Sequence, residues 1–225
     1  MLRHVAGRPL AFGGAFLGFA CAVVSVYIPF LWAPALFMRV HEMSVQDIGL
    51  TLGVIVGGAG VVGVLGSGAL SDFLTRRGRV DAPVRVIFWA ALLQMPILGG
   101  AYLVNSQAAA LILLAVGMSL TTTASSLQGT AMQLMTPARM RGRMMAIYLL
   151  FITLIGMGVG PLAIGLLSDH VFPGPKGLAP ALAVVSTVAL ALCGVILTVS
   201  RKAVRDCIIA EIDREASVVP AAPAE

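Results

Sequence analysis

Long apolar runs alternate with short polar breaks along the whole chain. The runs lie near 10–36, 47–70, 84–104, 108–135, 144–168 and 179–200. Each reaches the about 20 residues that an α-helix needs to cross a bilayer core. The breaks differ in kind. Arg39 to Asp47 is polar and Asp72 to Arg85 is basic; Asn105-Ser106-Gln107 is a minimal uncharged turn. Thr136 to Arg143 is basic again, and Asp169 to Gly177 is rich in proline and glycine. The pattern predicts an all-α membrane protein of six transmembrane helices over 10–200. A short N-terminal segment, 1–9, precedes them, and the polar tail 201–225 has the composition of a disordered segment.

Composition agrees. Hydrophobic residues make up 59% of the 225 and charged residues only 11%, against roughly 25% charged in soluble domains. A soluble fold of this size has too little interior for that much apolar surface. Arg3 and Arg8 precede an apolar stretch, as in a signal peptide, but the stretch from Pro9 to Met38 is far longer than a signal core and reads as a first span.

The net charge of +5 does not point to nucleic acid, because the basic residues cluster between apolar runs without a base-reading motif. Arg3, Arg8, Arg76, Arg77, Arg79, Arg85, Arg139, Arg141, Arg143, Arg201, Lys202, Arg205 and Arg214 fall on one side of an alternating six-span topology. Only Arg39 and Lys176 fall on the other, a bias of thirteen to two that predicts both termini in the cytoplasm. Cys21, Cys193 and Cys207 form neither a disulfide framework nor a metal-ligand spacing. No metal or cofactor is expected.

An internal repeat is visible. Gly68-Ala69-Leu70-Ser71-Asp72 recurs 97 residues on as Gly165-Leu166-Leu167-Ser168-Asp169, and Gly63 matches Gly160 at the same offset. The first copy ends a span on the basic side and the second ends one on the opposite side. Two three-helix units related by inversion would produce this, a 3+3 inverted repeat of the kind transporters use.

Several residues carry candidate mechanism. Gly49, Gly53 and Gly57 form an i, i+4 ladder in the second span, suited to close helix approach, either as a static contact or as a sliding surface. Gly156, Gly160, Pro161 and Gly165 make the fifth span a candidate bending point. Pro29, Pro34 and Pro96 are expected to break other spans. Asp72 ends the second helix at the unfavourable end of its dipole, so pairing with a neighbouring arginine is expected. Arg76, Arg77, Arg79, Arg139, Arg141 and Arg143 are the available partners, and plain membrane anchoring by these arginines is the alternative.

Within the assigned spans the only Asp, Glu, Lys, Arg or His residues are Asp47 and Arg85, each at a span's end; none lies deeper, which argues against a buried protonation switch. The polar content instead concentrates in the fourth span, where Thr121, Ser125, Gln128 and Met132 share one stripe. Gln128 is read either as an interhelical hydrogen-bonding group or as a cavity wall. Tyr27 and Tyr148 are further cavity candidates, and Gln94 is read as structural.

The segment Gly68–Arg79, with Asp72 and then Gly78-Arg79, resembles the Gly-x-x-x-Asp…Gly-Arg signature of the major facilitator superfamily, although about two extra residues separate Asp72 from Gly78. The stretch from Pro137 through Arg139, Arg141, Arg143 and Tyr148 to Gly156, Gly160, Pro161, Gly165 and Asp169 is similar to the tenth-to-eleventh helix region of such transporters, with features of the Spinster-like group. The resemblance covers residues 8–200. It implies the C-terminal six-helix half of a secondary transporter in a bacterial cytoplasmic membrane, moving a small organic or amphiphilic solute by alternating access. It also implies a second six-helix bundle as partner, whether a missing half or another copy, and a conformational loop built on Gly68, Asp72, Arg76, Gly78 and Arg79. An enzyme is not expected, because neither Gly-x-Ser-x-Gly nor His-Glu-x-x-His occurs. A noncatalytic membrane subunit or scaffold is the alternative.

Overall fold

The computed structural model describes residues 7–174 and 177–218. Arg3, Lys176 and the end of the tail, 219–225, lie outside the described residues. Six helices are long and apolar enough to cross a membrane. They are α1 (Pro9–Val40), α2 (Val45–Arg76), α3 (Ala82–Leu103), α4 (Gln107–Leu134), α5 (Arg141–His170) and α6 (Leu178–Val218), with a single 3-10 turn, Ala138–Met140, before α5.

Local chemistry explains several of the ends. Ser44 caps α2: its hydroxyl accepts from the Asp47 amide at 3.2 Å and donates to the Asp47 carboxylate at 2.7 Å. The other end of α2 closes on Gly78, whose φ of +77° is strained for any residue with a Cβ. The Gly78 amide donates to Thr75 O and the Arg79 amide to Leu74 O, the paired bonds of a Schellman cap. Arg141 closes α4, its Nε donating to the carbonyls of Gln133 and Thr136. Pro29, Pro34, Pro96 and Pro161 all sit inside unbroken helices, so the spans are not interrupted where proline suggests.

The helices form two layers. α2, α4, α1 and α5 stand side by side in that order, and α3 and α6 pack behind α4 and α1. The pairing is symmetric under a shift of three helices. α1 lies on α6 as α4 lies on α3; α5 lies on α1 as α2 lies on α4. The repeat holds at residue level too. α2 buries Ala59, Gly63 and Ser67, and α5 buries Gly156, Gly160 and Ile164, the same stripe displaced by 97 positions.

The apolar core is split along the membrane normal. One cluster, at the basic end, joins Phe12 and Phe19 to Ile87, Met132, Tyr148, Leu190 and Ile208. The other joins Ile28, Phe37, Leu98, Tyr102, Leu114 and Leu182 at the opposite end. Between them Gln94 on α3 donates to Ser25 of α1 at 3.2 Å and to Thr121 of α4 at 2.5 Å, tying three helices with one buried amide.

The tail departs from expectation. α6 continues without a break to Val218 rather than ending near 200. Val204, Cys207, Ile208 and Glu211 are buried at helical spacing, so this extension has a docked face. Arg8 reaches Glu211 at 3.4 Å and Arg141 reaches Glu215 at 2.6 Å, which fastens the extension to α1 and α5. The tail's polar composition concealed a helix whose buried stripe is narrow.

Candidate functional site

The face of the α2–α4–α1–α5 layer turned away from α3 and α6 is covered by nothing among the described residues. α2 and α5 flank it, and each buries little beyond its one stripe; Val54, Val61, Leu65, Leu150, Leu154 and Leu162 are all more than 60% exposed. At its centre α4 presents an outward stripe at 3–4-residue spacing: Ile112, Val116, Ser119, Thr123, Ser126, Thr130 and Gln133. The stripe is apolar toward the start of α4 and polar toward the basic end. Hydroxyls and an amide in this position can meet water or the polar part of a ligand.

The same stripe joins α4 to α2. Thr122 donates to the Ala59 carbonyl and Thr123 to the Gly63 carbonyl, both at 3.1 Å, and the Ser67 and Ser126 hydroxyls meet at 2.8 Å. Gly63 permits this approach, because a Cβ there would collide with the Thr122 side chain and the Ser119 carbonyl oxygen. The inverted mate of this seam is apolar. Gly156 accommodates Val23 and the Tyr27 ring, and Gly160 accommodates Val24.

The sequence-selected cavity residues divide accordingly. Thr121 and Gln128 are buried inside the bundle, on the opposite side of α4 from the outward stripe. Tyr148 is buried with Gln128, to which its hydroxyl donates at 2.7 Å, and its ring meets Phe16 and Phe19 edge-on. The Gln128 Nε2 remains without a hydrogen-bond partner among the described residues. Ser125 is half-buried and bonds back to Thr122 O. Tyr27 is half-buried at the α1–α5 seam. The Thr121–Gln128 side of α4 therefore makes interhelical hydrogen bonds, and the exposed polar stripe is its neighbour.

The glycines divide as well. Gly156 and Gly160 make close contacts, whereas Gly53, Gly57, Gly68 and Gly165 face open space in this bundle. The ladder in α2 is thus not a contact with any described helix of this chain.

At the basic end Asp72 is exposed and makes no ion pair among the described residues. Arg76, Arg79, Arg139 and Arg143 are exposed too, and Arg77 lies over the Phe73 ring at 4.2 Å. The paired acid here is instead Asp81, just before α3: buried, 2.7 Å from Arg85 Nε and 3.7 Å from Arg201 Nε. The pairing expected of Asp72 is not made among the described residues; Asp81 pairs instead with Arg85, one turn further along α3, and approaches Arg201 of α6. At the other end His41 stacks on Phe37 at 5.1 Å, and its partial burial lowers the imidazole's affinity for a proton. No group of three or more His, Cys, Asp or Glu side chains able to hold a metal occurs among the described residues.

Known proteins give this arrangement a setting. The sequence profile of the Major Facilitator Superfamily matches residues 1–161. An MFS-type efflux pump of Mycolicibacterium smegmatis is 29% identical over 142 residues, 61% of this chain and 32% of that protein. A bacterial homologue of the human lysosomal transporter Spinster, solved inward-facing and occupied, superposes with a TM-score of 0.63 at 20% identity, over 94% of this chain and 48% of that one. Its inward-facing unoccupied form gives a TM-score of 0.60 at 19% identity, over 99% and 51%. The chain thus spans about a third of the efflux pump and about half of the Spinster homologue.

Proposed function

The chain belongs to the major facilitator superfamily, and from that premise we propose that it moves a small organic or amphiphilic solute across the membrane by alternating access, as one six-helix bundle of a two-bundle secondary transporter. The observation that carries this reading is the uncovered α2–α4–α1–α5 face. A second bundle closing on it would enclose the polar stripe of α4 in a central cavity, and inverted repeats are the usual frame for such a site.

The match to an efflux pump favours export as the direction. The order of motifs favours the C-terminal half, and the clustering of arginines at one end of the bundle favours cytoplasmic termini in a bacterial inner membrane. In this reading Ser126, Thr130 and Gln133 meet the solute, with Tyr27 further along α1 toward the opposite end. Gln128 and Tyr148 sit behind the wall, where the spare Gln128 amide can reach a solute or water if the layer opens. The unpacked glycines Gly53 and Gly57 become surfaces for the second bundle, and Gly156, Gly160 and Pro161 the seam along which α5 shifts on α1. The arginines of the basic end and Asp72 face the partner bundle's loops.

Single cysteines at Ser126, Thr130 and Tyr27 in an otherwise cysteine-free chain test this. In energised membrane vesicles they should react with a small hydrophilic maleimide and be protected by an amphiphilic solute that the vesicles export. Uniform inaccessibility, with no solute-dependent change, would favour a packed noncatalytic subunit instead.

A further inference from the structure

The rear of the bundle, where α3 meets α6, carries a second candidate site. Two cavities lie end to end along this seam and share Phe88 and Thr198. The smaller, about 60 Å³, sits at the basic end and is lined by Arg85, Trp89 and Arg201. The larger, about 390 Å³, continues deeper between Leu92, Met95, Gly194 and Val195 and is almost wholly apolar.

We infer that this seam binds one anionic phospholipid, its phosphate between Arg85 and Arg201 and one acyl chain in the groove beyond. Charge is the first argument. Asp81 is a single carboxylate set against two guanidiniums, bonded to Arg85 Nε at 2.7 Å and only 3.7 Å from Arg201 Nε. Arg201 makes no hydrogen bond among the described residues, and half of its side chain is exposed. One positive charge is left over, which one phosphodiester would neutralise. Basic pockets between transmembrane helices suit anionic headgroups in this way.

Length is the second argument. From Arg85 to Met95 a helix rises ~15 Å, half of the ~30 Å bilayer core, so headgroup pocket and groove together match one leaflet. Trp89, 59% exposed beside Arg85, stands where interfacial tryptophans collect. Gly194 lines the groove without a side chain, and a Cβ there would come into van der Waals contact with Leu92. This site is on the opposite side of the bundle from the proposed solute face. It requires only that the protein is embedded in a bilayer, so it stands or falls separately from transport.

Quenching of Trp89 by brominated lipid tests it, in a Trp32→Phe variant of the protein that leaves Trp89 as the sole tryptophan of this chain, any tryptophan of a second bundle being replaced as well. In phosphatidylcholine vesicles, brominated phosphatidylglycerol should bind beside Trp89 roughly fivefold more strongly than brominated phosphatidylcholine, the effect of about one uncompensated arginine. Equal quenching would overturn the proposal. Adding Asp81→Asn, Arg85→Gln and Arg201→Gln together removes the charges without stranding the buried carboxylate, and should bring the ratio to about one; a persisting preference would overturn the site. Gly194→Leu keeps every charge, fills the groove, and should reduce quenching by the anionic lipid; unchanged quenching would overturn the acyl-chain placement. Glycerol 3-phosphate in the buffer should not relieve the quenching. Relief would identify a free phosphate-ester site and overturn the lipid assignment.

Discussion

The Tyr148 hydroxyl donates to the Gln128 Oε1 at 2.7 Å, a hydrogen bond between two fully buried side chains on helices consecutive in the chain. It joins α5 to α4 at a place where the two helices otherwise touch little. Tyr148→Phe should therefore destabilise the bundle by about 1–2 kcal/mol, since it leaves a buried amide oxygen unsatisfied. Adding Gln128→Leu should recover part of that loss, because both polar groups are then gone. A double-mutant cycle on reversible unfolding in mild detergent reads the coupling, and strictly additive effects would mean that the bond contributes nothing.

The glycines should separate into two classes. Gly63→Ala and Gly156→Ala place a methyl against neighbouring atoms that must move, at a cost of roughly 1–3 kcal/mol. Gly53→Ala and Gly57→Ala meet open space and should leave bundle stability within about 0.5 kcal/mol or raise it slightly. Thermal melting of the four variants makes the comparison. Transport should respond differently: if a second bundle rests on the α2 ladder, Gly53→Leu should impair export while leaving the melting temperature of this bundle nearly unchanged.

Asp81 and Asp72 should also part company. Asp81→Asn weakens a buried charge-assisted bond to Arg85 and the longer contact with Arg201, for a loss of about 1.5–3 kcal/mol. Asp72→Asn removes an exposed acid without an ion pair among the described residues and should change stability by less than about 0.5 kcal/mol. An equal loss in both would show that Asp72 has a partner inside the bundle after all.

The α6 extension can be tested by thiol chemistry. Cys207 is 1% exposed, held under Arg8 and against the Met135 carbonyl. Maleimide labelling of Cys207 should be slow in the intact protein and faster by an order of magnitude or so when Glu211→Gln and Glu215→Gln loosen the docked helix, as local opening there becomes easier. Cys193, buried in the middle of α6, serves as the internal reference and should not respond.

Much of this architecture was readable from residue order, and the reasons are specific. Hydrophobic length marks spans because lipid leaves the backbone no alternative to helix. The repeat was readable because Gly63 and Gly160 each solve the same packing problem at the same register. Helix ends were less legible: α2 runs to Arg76 and α6 to Val218, since a helix continues past the bilayer wherever a capping turn or a docked stripe supports it. The side of α4 that faces outward could not be chosen from α4 alone. Gln128 has its partner on α5, Thr121 has its partner on α3, and only the fold brings those helices to it. Asp72 makes no ion pair among the described residues, while Asp81 gains Arg201 as a second partner only because the fold brings α6 against the start of α3.

The central claim is that a second bundle covers the α2–α4–α1–α5 face and makes an aqueous cavity over α4. Spin labels at Thr130→Cys and, on the rear of α6, Val195→Cys, in a cysteine-free background reconstituted from membranes expressing the functional transporter, measure this directly. The account predicts that the label at 130 collides more with a water-soluble nickel chelate than with oxygen, while the label at 195, on a residue 61% exposed at the lipid-facing rear, does the reverse. Matching, oxygen-dominated collision at both positions would place lipid on both faces and contradict it.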